Sequence, residues 1–313
     1  MPRLTLYTAK IEQEVDGVID LLHRDGWTIV RHNLCDYPEH HFVTCSSGSS
    51  EALGVHWLHS LPAFSTADSL MGVGREVSMK ESFAFWEGFW LSIPASCWLN
   101  SPKNIQSASN KLAQLKAVQL LDVNSPDWII TNAADDIKAF LEKHDGMLVL
   151  KSLSCGFISY STENLKFYTQ LATPRLVSKL SQASLSPVIA QRRIVKRYEI
   201  RATVICDNVY CTLLDYNDLP DIVDYRELDF NKYRGAFSPC PEELKQLVAL
   251  RSVSICKHFG LSYAGIDWVI DHSENLYFLE INPLASFKWF EICGADDITH
   301  ALTNSLRNLD HVS

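Results

Sequence analysis

Apolar and polar positions alternate with two different periods along this chain, and the changes of period mark its elements. Leu4 to Tyr7 reads as a strand, and Glu12 to His23 carries Val15, Ile19 and Leu22 at helical spacing. Gly26 then punctuates before a second strand, Trp27 to Val30. Strand, helix, strand predicts a small α/β unit at the start. Asp36 to Ser50 is polar, with Pro38 and a CSSGSS run, and reads as a loop or irregular hairpin. Met79 to Trp98 is dense in aromatics and predicts a core helix. Asn100-Ser101-Pro102 reads as a boundary, with Ser101 suited to a helix N-cap and Pro102 to the first helical position. From there one helix is expected to about Leu121, with Ile105, Ala108, Leu112, Leu115 and Val118 on its apolar face. Lys111 and Lys116 lie off that stripe, and Lys116 reads as a solvated helix lysine.

After Pro126 the pattern gives strand Trp128 to Thr131, helix Ala134 to His144 closed by Gly146, and strand Met147 to Lys151. Lys151 ends an apolar run, where an ammonium needs an anionic partner, either a phosphate or a structural carboxylate. The loop Ser152 to Ser161 holds serines and Gly156, whose backbone N–H groups could lie over phosphates. Val188 to Ile205, VIAQRRIVKRYEIRATVI, puts Glu199, Arg201 and Thr203 on one strand face, and Asp207-Asn208 reads as a hairpin turn into Val209 to Leu214. An arginine there is either an ion-pair partner or a fork aimed at phosphate oxygens. Asp224-Tyr225-Arg226 and Arg234 fall in a loop. Pro241 to His258 is an amphipathic helix that Gly260 closes, and Ile298 to Leu309 reads as a terminal helix.

The stretch Ala264 to Pro283, AGIDWVIDHSENLYFLEINP, carries the chemistry. GIDWVI and LYFLEIN read as strands split by a polar turn. Alternation predicts Glu280 and Asn282 on one face, with Tyr277, Leu279 and Ile281 on the other. A loop of His272 to Asn275 would bring Asp267 opposite Glu280. Like charges facing across a strand pair repel unless a cation lies between them. Three oxygen side chains on one sheet face suit a hard cation such as Mg²⁺. A half-buried hairpin whose polar face meets water would use the same residues.

With 313 residues, 47% of them hydrophobic and 21% charged, the chain is an ordinary globular protein of two or three units rather than a disordered one. A net charge of -9 argues against general nucleic-acid binding. MPRLTLYTAK lacks the apolar core of a signal peptide. Phe83 to Leu99 is interrupted by Glu87 and Pro94, so no membrane span is expected there. Nine cysteines without a CxxC pair fit reduced, mostly buried thiols in a cytosolic protein. His40-His41 and His56-x-x-His59 have no cysteine or carboxylate at metal-binding spacing and read as ordinary surface or core histidines.

GID…FLEINP is similar to the metal-binding strand pair of the ATP-grasp ligases. From Asn100 to the C-terminus the motifs follow that superfamily's order: WLNSP, SNKLAQL, VLKSLS, QRRIVKRYEIRATVI, VDYR, GID and FLEINP. Within it the chain most resembles the microviridin-type (graspetide) and grasp-with-spasm peptide maturases, through KRYEIR, the DYR loop and an opening strand followed by NLCDYP. The resemblance implies an α/β (α+β) ATP-grasp fold. Its parts would be a Rossmann-like pre-ATP-grasp domain over 1–100, a small central α/β domain over 101–190 and a C-terminal antiparallel-sheet domain over 191–313. It implies ATP and two Mg²⁺ ions, with Mn²⁺ as the alternative, the metal lying on Asp267, Glu280 and Asn282. Lys111 and Lys151 would contact ATP phosphates. Gln191, Arg192, Arg193 and Ile194, continuing to Val195, would form the hinge beside adenine, and Glu199 would join the nucleotide site. Arg201 would steady the transferring phosphoryl group. Arg226, with Arg234 as second choice, would contact an acidic substrate, so that Arg201, Arg226 and Lys151 form the catalytic set.

The implied reaction is a two-step ligation, in which a carboxylate takes the γ-phosphoryl group of ATP and an amine or hydroxyl then displaces phosphate. In the maturases the carboxylate is an Asp or Glu of a precursor peptide with a leader segment, and the acceptor is a Ser, Thr or Lys of that peptide. No nucleic-acid or membrane partner is expected, and a homodimer stays open. Two rivals share the same residues: a ligase that adds free amino acids to a protein C-terminus or a metabolite, and a nucleotide-binding regulator without catalysis. The chain departs from its relatives in Arg192, where many carry an acidic residue, and in a phosphate loop poor in glycine. It also has Leu284-Ala285-Ser286 where Gly-Gln often follows the last motif, and VHWLHS in place of an arginine-rich tryptophan motif.

Overall fold

The computed structural model describes residues 1–9, 12–37, 45, 54–60, 72–153, 157–160, 163–166, 169–177, 186–294 and 297–310. The opening strand–helix–strand pattern folds as expected. β1 (Arg3–Thr8) pairs in parallel with β2 (Thr28–Asn33) and with β3 (Val55–Leu58), in the order β2-β1-β3. α1 (Asp16–Arg24) packs Val18 and Leu22 against one face of this sheet. The aromatic run covers the other face through Trp86 and Trp90 of α2 (Val73–Leu91). That helix stops at Leu91 instead of reaching Trp98, because Pro94 forces its predecessor out of helical geometry.

The expected single helix from Pro102 is two: α3 (Pro102–Ser109) and α4 (Lys111–Leu120). Ser101 caps α3 as predicted, its Oγ accepting from the N–H of Asn104 at 3.3 Å. Asn110 breaks the run, since its side chain accepts from Ala113 N–H at 3.0 Å and caps the second helix. The break turns Leu112 outward, at 40% exposure, whereas Leu115 and Val118 stay buried. Lys116 is exposed as expected and lies over the ring of Trp128.

A four-stranded antiparallel sheet follows, in the order β4-β9-β5-β8: β4 (Trp128–Thr131), β5 (Leu148–Lys151), β8 (Gln170–Leu171) and β9 (Val188–Arg192). α5 (Ala134–Lys143) fills its back with Ile137 and Phe140. The stretch read as a phosphate loop carries β6 (Phe157–Tyr160), paired with β7 (Glu163–Lys166); Gly156 itself lies outside the described residues, as do His40 and His41. The short helix α6 (Pro174–Val177) lies between β8 and β9 in the chain.

The largest sheet has five strands in the order β12-β11-β10-β13-β14: β10 (Lys196–Ile205), β11 (Asn208–Asp215), β12 (Phe237–Pro239), β13 (Tyr263–Asp271) and β14 (Leu276–Asn282). The β10–β11 turn is Cys206-Asp207, one residue earlier than expected, with Cys206 at a φ of 54°. Between β11 and β12 lies α7 (Phe230–Tyr233). α8 (Glu242–Phe259), ended by Gly260 in the left-handed region, covers one face of the sheet with Val248, Ile255 and Phe259. After α9 (Lys288–Ile292), the last helix α10 (Ile298–Asp310) returns to the first sheet. There Ile298, Leu302 and Leu306 share a core with Leu4, Leu6 and Leu22. Among the described residues no disulfide forms, and the thiols are less buried than expected: Cys97, Cys211 and Cys256 are inside, whereas Cys45 and Cys206 are exposed. No described helix is long and apolar enough to cross a membrane.

Candidate active site

The open face of the five-stranded sheet, opposite α8, bounds a cavity of about 740 Å³ that also meets the four-stranded sheet and α4. The register places Asp267 opposite Glu280, and Arg201 on β10 opposite Asp267 on its other side. The hairpin reaches this arrangement by a route that simple alternation missed. A bulge at Leu279 shifts the pairing between Asp267 and Trp268, so Trp268 faces Phe278 and Val269 faces Tyr277. Phe278 and Ile281 therefore point into the core, while Leu279, Glu280 and Asn282 line the cavity. Tyr277, expected on the apolar face, instead receives Arg192 Nη2 on its hydroxyl at 3.2 Å.

The two carboxylates are each held by a cation. Arg201 Nη1 donates to Asp267 Oδ1 at 2.7 Å, and Lys111 Nζ lies 3.6 Å from Glu280 Oε2. Burial pushes Asp267 above the ordinary carboxylate range, with Arg201 pulling the other way and Glu280 adding to the rise. Burial also acts on Glu280, but Lys111, Lys151, Arg226 and Arg201 outweigh it and hold that carboxylate below its usual range. Lys151 is brought down to about 8, first by burial, against the pull of Glu280. Arg201 lies between the Phe290 ring and Gly265, whose missing Cβ would sit 2.7 Å from Arg201 Cζ. Its Nε is buried and unpartnered, as a donor waiting for an anion would be. The donor set of two carboxylates and one amide oxygen on a single face fits a hard divalent cation, and the unsatisfied guanidinium fits a phosphate beside it.

Neighbouring elements fix these side chains. Gln114 on α4 donates from Nε2 to Ala108 O (2.7 Å) and Ile281 O (2.8 Å), and accepts from Ile281 N–H at 3.2 Å. It thereby ties the α3–α4 break to the residue between Glu280 and Asn282. Asn100 does the same at the other end of the strand pair, donating to Tyr263 O and Pro283 O and accepting from Ser262 and Tyr263 N–H. Asn282 Oδ1 accepts from Leu284 N–H at 3.0 Å, which orients its amide.

A family model described as "ATP-grasp domain" matches residues 108–285. The chain belongs to the ATP-grasp family. No curated protein matches it at the sequence level. Among solved structures it is similar to the Chryseobacterium gregarium RiPP-associated ATP-grasp ligase in complex with ADP and a leader and core peptide, with TM-score 0.84, 21% identity, and coverage of 98% of this chain and 97% of that one. It is also similar to the macrocyclase MdnC of Microcystis aeruginosa bound with precursor peptide MdnA (TM-score 0.82, 21% identity, 98% and 100% coverage). The macrocyclase MdnB of the same organism follows at TM-score 0.78, 21% identity, and coverage of 98% and 99%. The fold is the ATP-grasp fold.

The ATP-grasp cavity gathers Lys111, Lys151, Gln191, Arg192, Arg193, Ile194, Glu199, Arg201, Arg226, Asp267, Glu280 and Asn282. Val195 and Arg234 are not among its lining residues, and both are exposed. Arg226 is clamped by Asp224, to which it donates from Nε (2.8 Å) and Nη2 (2.6 Å). Glu199 accepts from Lys196 Nζ at 2.6 Å and from the Tyr216 hydroxyl at 2.8 Å, so part of its acceptor capacity is already used. Arg193 pairs with Asp221. The sequence reading missed Glu14, Gln114, Lys196 and Asp224, which also line the cavity. Asp224 stood beside Arg226 in the DYR motif, whereas Glu14 reaches the site only through the packing of the first sheet.

Proposed function

We propose that this chain is a cytosolic ATP-dependent ligase that activates Asp or Glu side chains of a ribosomal precursor peptide as acyl phosphates and joins them to an amine or hydroxyl of that peptide. The observation that carries the reading is the convergence of Asp267, Glu280 and Asn282 with Lys111, Lys151, Arg201 and Arg226 on one cavity. Asp267, Glu280 and Asn282 would hold Mg²⁺, two ions in our reading, and the bound metal would offset triphosphate charge. Lys111 and Lys151 are disposed to take phosphate oxygens, and the Arg201 fork to follow the phosphoryl group in flight. Gln191 to Ile194, where β9 passes into β10, would flank the base. Arg226, held rigid by Asp224, is our candidate for gripping the donor carboxylate. In this reading residues 1–100, 101–190 and 191–313 act as pre-ATP-grasp, central and C-terminal units around the cavity.

A peptide substrate is supported by the similar ligases solved with leader, core or precursor peptides. Co-expression with a short neighbouring open reading frame rich in Ser, Thr or Lys and Glu or Asp tests this directly. Each ring closed removes one water from the intact mass. A peptide that stays unmodified, or that gains the mass of free amino acids, would contradict the maturase reading.

A further inference from the structure

The cavity reaches the first sheet through Glu14. In the order β2-β1-β3 the winding reverses between β1 and β3, and the crevice beyond the carboxyl ends of such strands is where open α/β sheets take ligands. Glu12 and Glu14 follow β1, and His59 follows β3 directly. Their ligand atoms lie within 4.8 Å of one another. His59 Nε2 stands 3.8 Å from Glu14 Oε2 and 4.0 Å from Glu12 Oε1, beyond hydrogen-bonding distance. The His59 side chain is only 4% exposed, and its buried Nδ1 has no hydrogen-bond partner. Burial, helped by Arg31, lowers its pKa to about 4, so the ring is neutral at pH 7 and offsets neither carboxylate. Glu14 accepts the N–H of Phe287 at 3.2 Å, on the segment that follows Asn282, which ties the cluster to the metal-site strand.

Among the described residues no Lys or Arg pairs with Glu12 or Glu14. A hydroxyl would bring one hydrogen bond and leave the repulsion between Glu12 and Glu14 in place. An ammonium brings three donors and a charge. We propose that Glu12, Glu14 and His59 form the acceptor subsite, that it takes a primary amine such as a lysine side chain, and that Glu14 receives the proton that frees the nucleophile. This rests on the ligase reading above. The ammonium gives one proton to Glu14, and the nitrogen lone pair then forms the C–N bond to the acyl carbon. The C–O bond to phosphate breaks, and the second N–H proton leaves with the phosphate. The product is an amide, with no change of oxidation state.

The test uses the full chain, ATP, Mg²⁺ and a synthetic form of the neighbouring-gene peptide with Lys or Ser at the acceptor position. Hydroxylamine trapping reads carboxylate activation, and water loss reads ring closure. Glu14→Gln, which can still accept from Phe287, should slow closure onto Lys about 30-fold more than it lowers hydroxamate formation. Glu14→Asp should recover part of that loss. Closure by Glu14→Gln at the unmodified rate would overturn the inference. So would a parallel fall in trapping and closure, faster closure onto Ser than Lys, or a stoichiometric transition metal lost on the same substitution. Absence of hydroxamate with the unmodified enzyme would overturn the ligase reading itself, a result distinct from a failure confined to Glu14.

Discussion

At the scale of single residues, the site depends on what is left out as much as on what is present. Gly265 makes room for the Arg201 guanidinium, since a methyl group there would meet Arg201 Cζ and the buried Ala285 Cβ, each at 2.7 Å. Gly265→Ala should therefore push Arg201 off its seat. We expect a stability loss of about 1–3 kcal/mol in a urea melt and a fall in ATP turnover larger than that loss explains. Ala285 is thus a packing partner of the site and not merely a departure from the family's motif. The buried histidines give a second residue-level test. His56 and His59 are both held at about 4, chiefly by burial, so both are neutral in the folded chain. The unfolded chain binds their protons first. Stability is full above pH 6.5 and is lost as pH falls from there toward 4, by about 2 kcal/mol per histidine at pH 5. Glu14, raised above its ordinary range by burial, offsets part of this. Thermal melts from pH 7 to 5 should show the decline, and His56→Gln should make it shallower.

At the scale of elements, alternation was enough to find β13 and β14, and the expected loop His272 to Asn275 put Asp267 opposite Glu280, a pairing the structure reaches through a bulge. Alternation could not show the bulge at Leu279, because an extra residue changes no composition and a register shift leaves the strand pattern intact. Tyr277 and Leu279, both expected on the face away from Glu280, were misplaced for that reason. The α3–α4 break was legible in outline, as Asn110 is a good cap inside a run of helix formers, but the apolar periodicity ran across it. Lys111 owes its place beside Glu280 to that break. Gln114 could not have been singled out from spacing, since its partners Ala108 and Ile281 are brought together only by folding. The same holds for His59, which follows β3, whereas its carboxylate neighbours Glu12 and Glu14 follow β1. Replacing Gln114 with Ala leaves Ile281 N–H and two carbonyls without their partner. We expect a loss of about 1–3 kcal/mol in chemical denaturation, and weaker Mg²⁺-dependent nucleotide binding than Leu120→Ala on the exposed side of the same helix.

At the scale of the whole molecule, the last helix packs on the first sheet, and Ile205, Tyr263 and Phe287 of the C-terminal part share that core. The cavity is walled by segments from both ends of the chain, Glu14 and the β9–β10 link among them. Such a site should stiffen when filled. A Mg²⁺–nucleotide at about 100 times its Kd should stabilise the fold by about 2.7 kcal/mol, read as a rise in melting temperature. Asp267, Glu280 and Asn282 should use divalent cations to grip a triphosphate, and calorimetric titration of ATP with Mg²⁺ or with EDTA reads this out. Binding should weaken by at least about 100-fold without metal, and a folded Glu280→Gln variant should bind weakly in either buffer. Equal affinity with and without Mg²⁺, or an unchanged titration of Glu280→Gln, would contradict it.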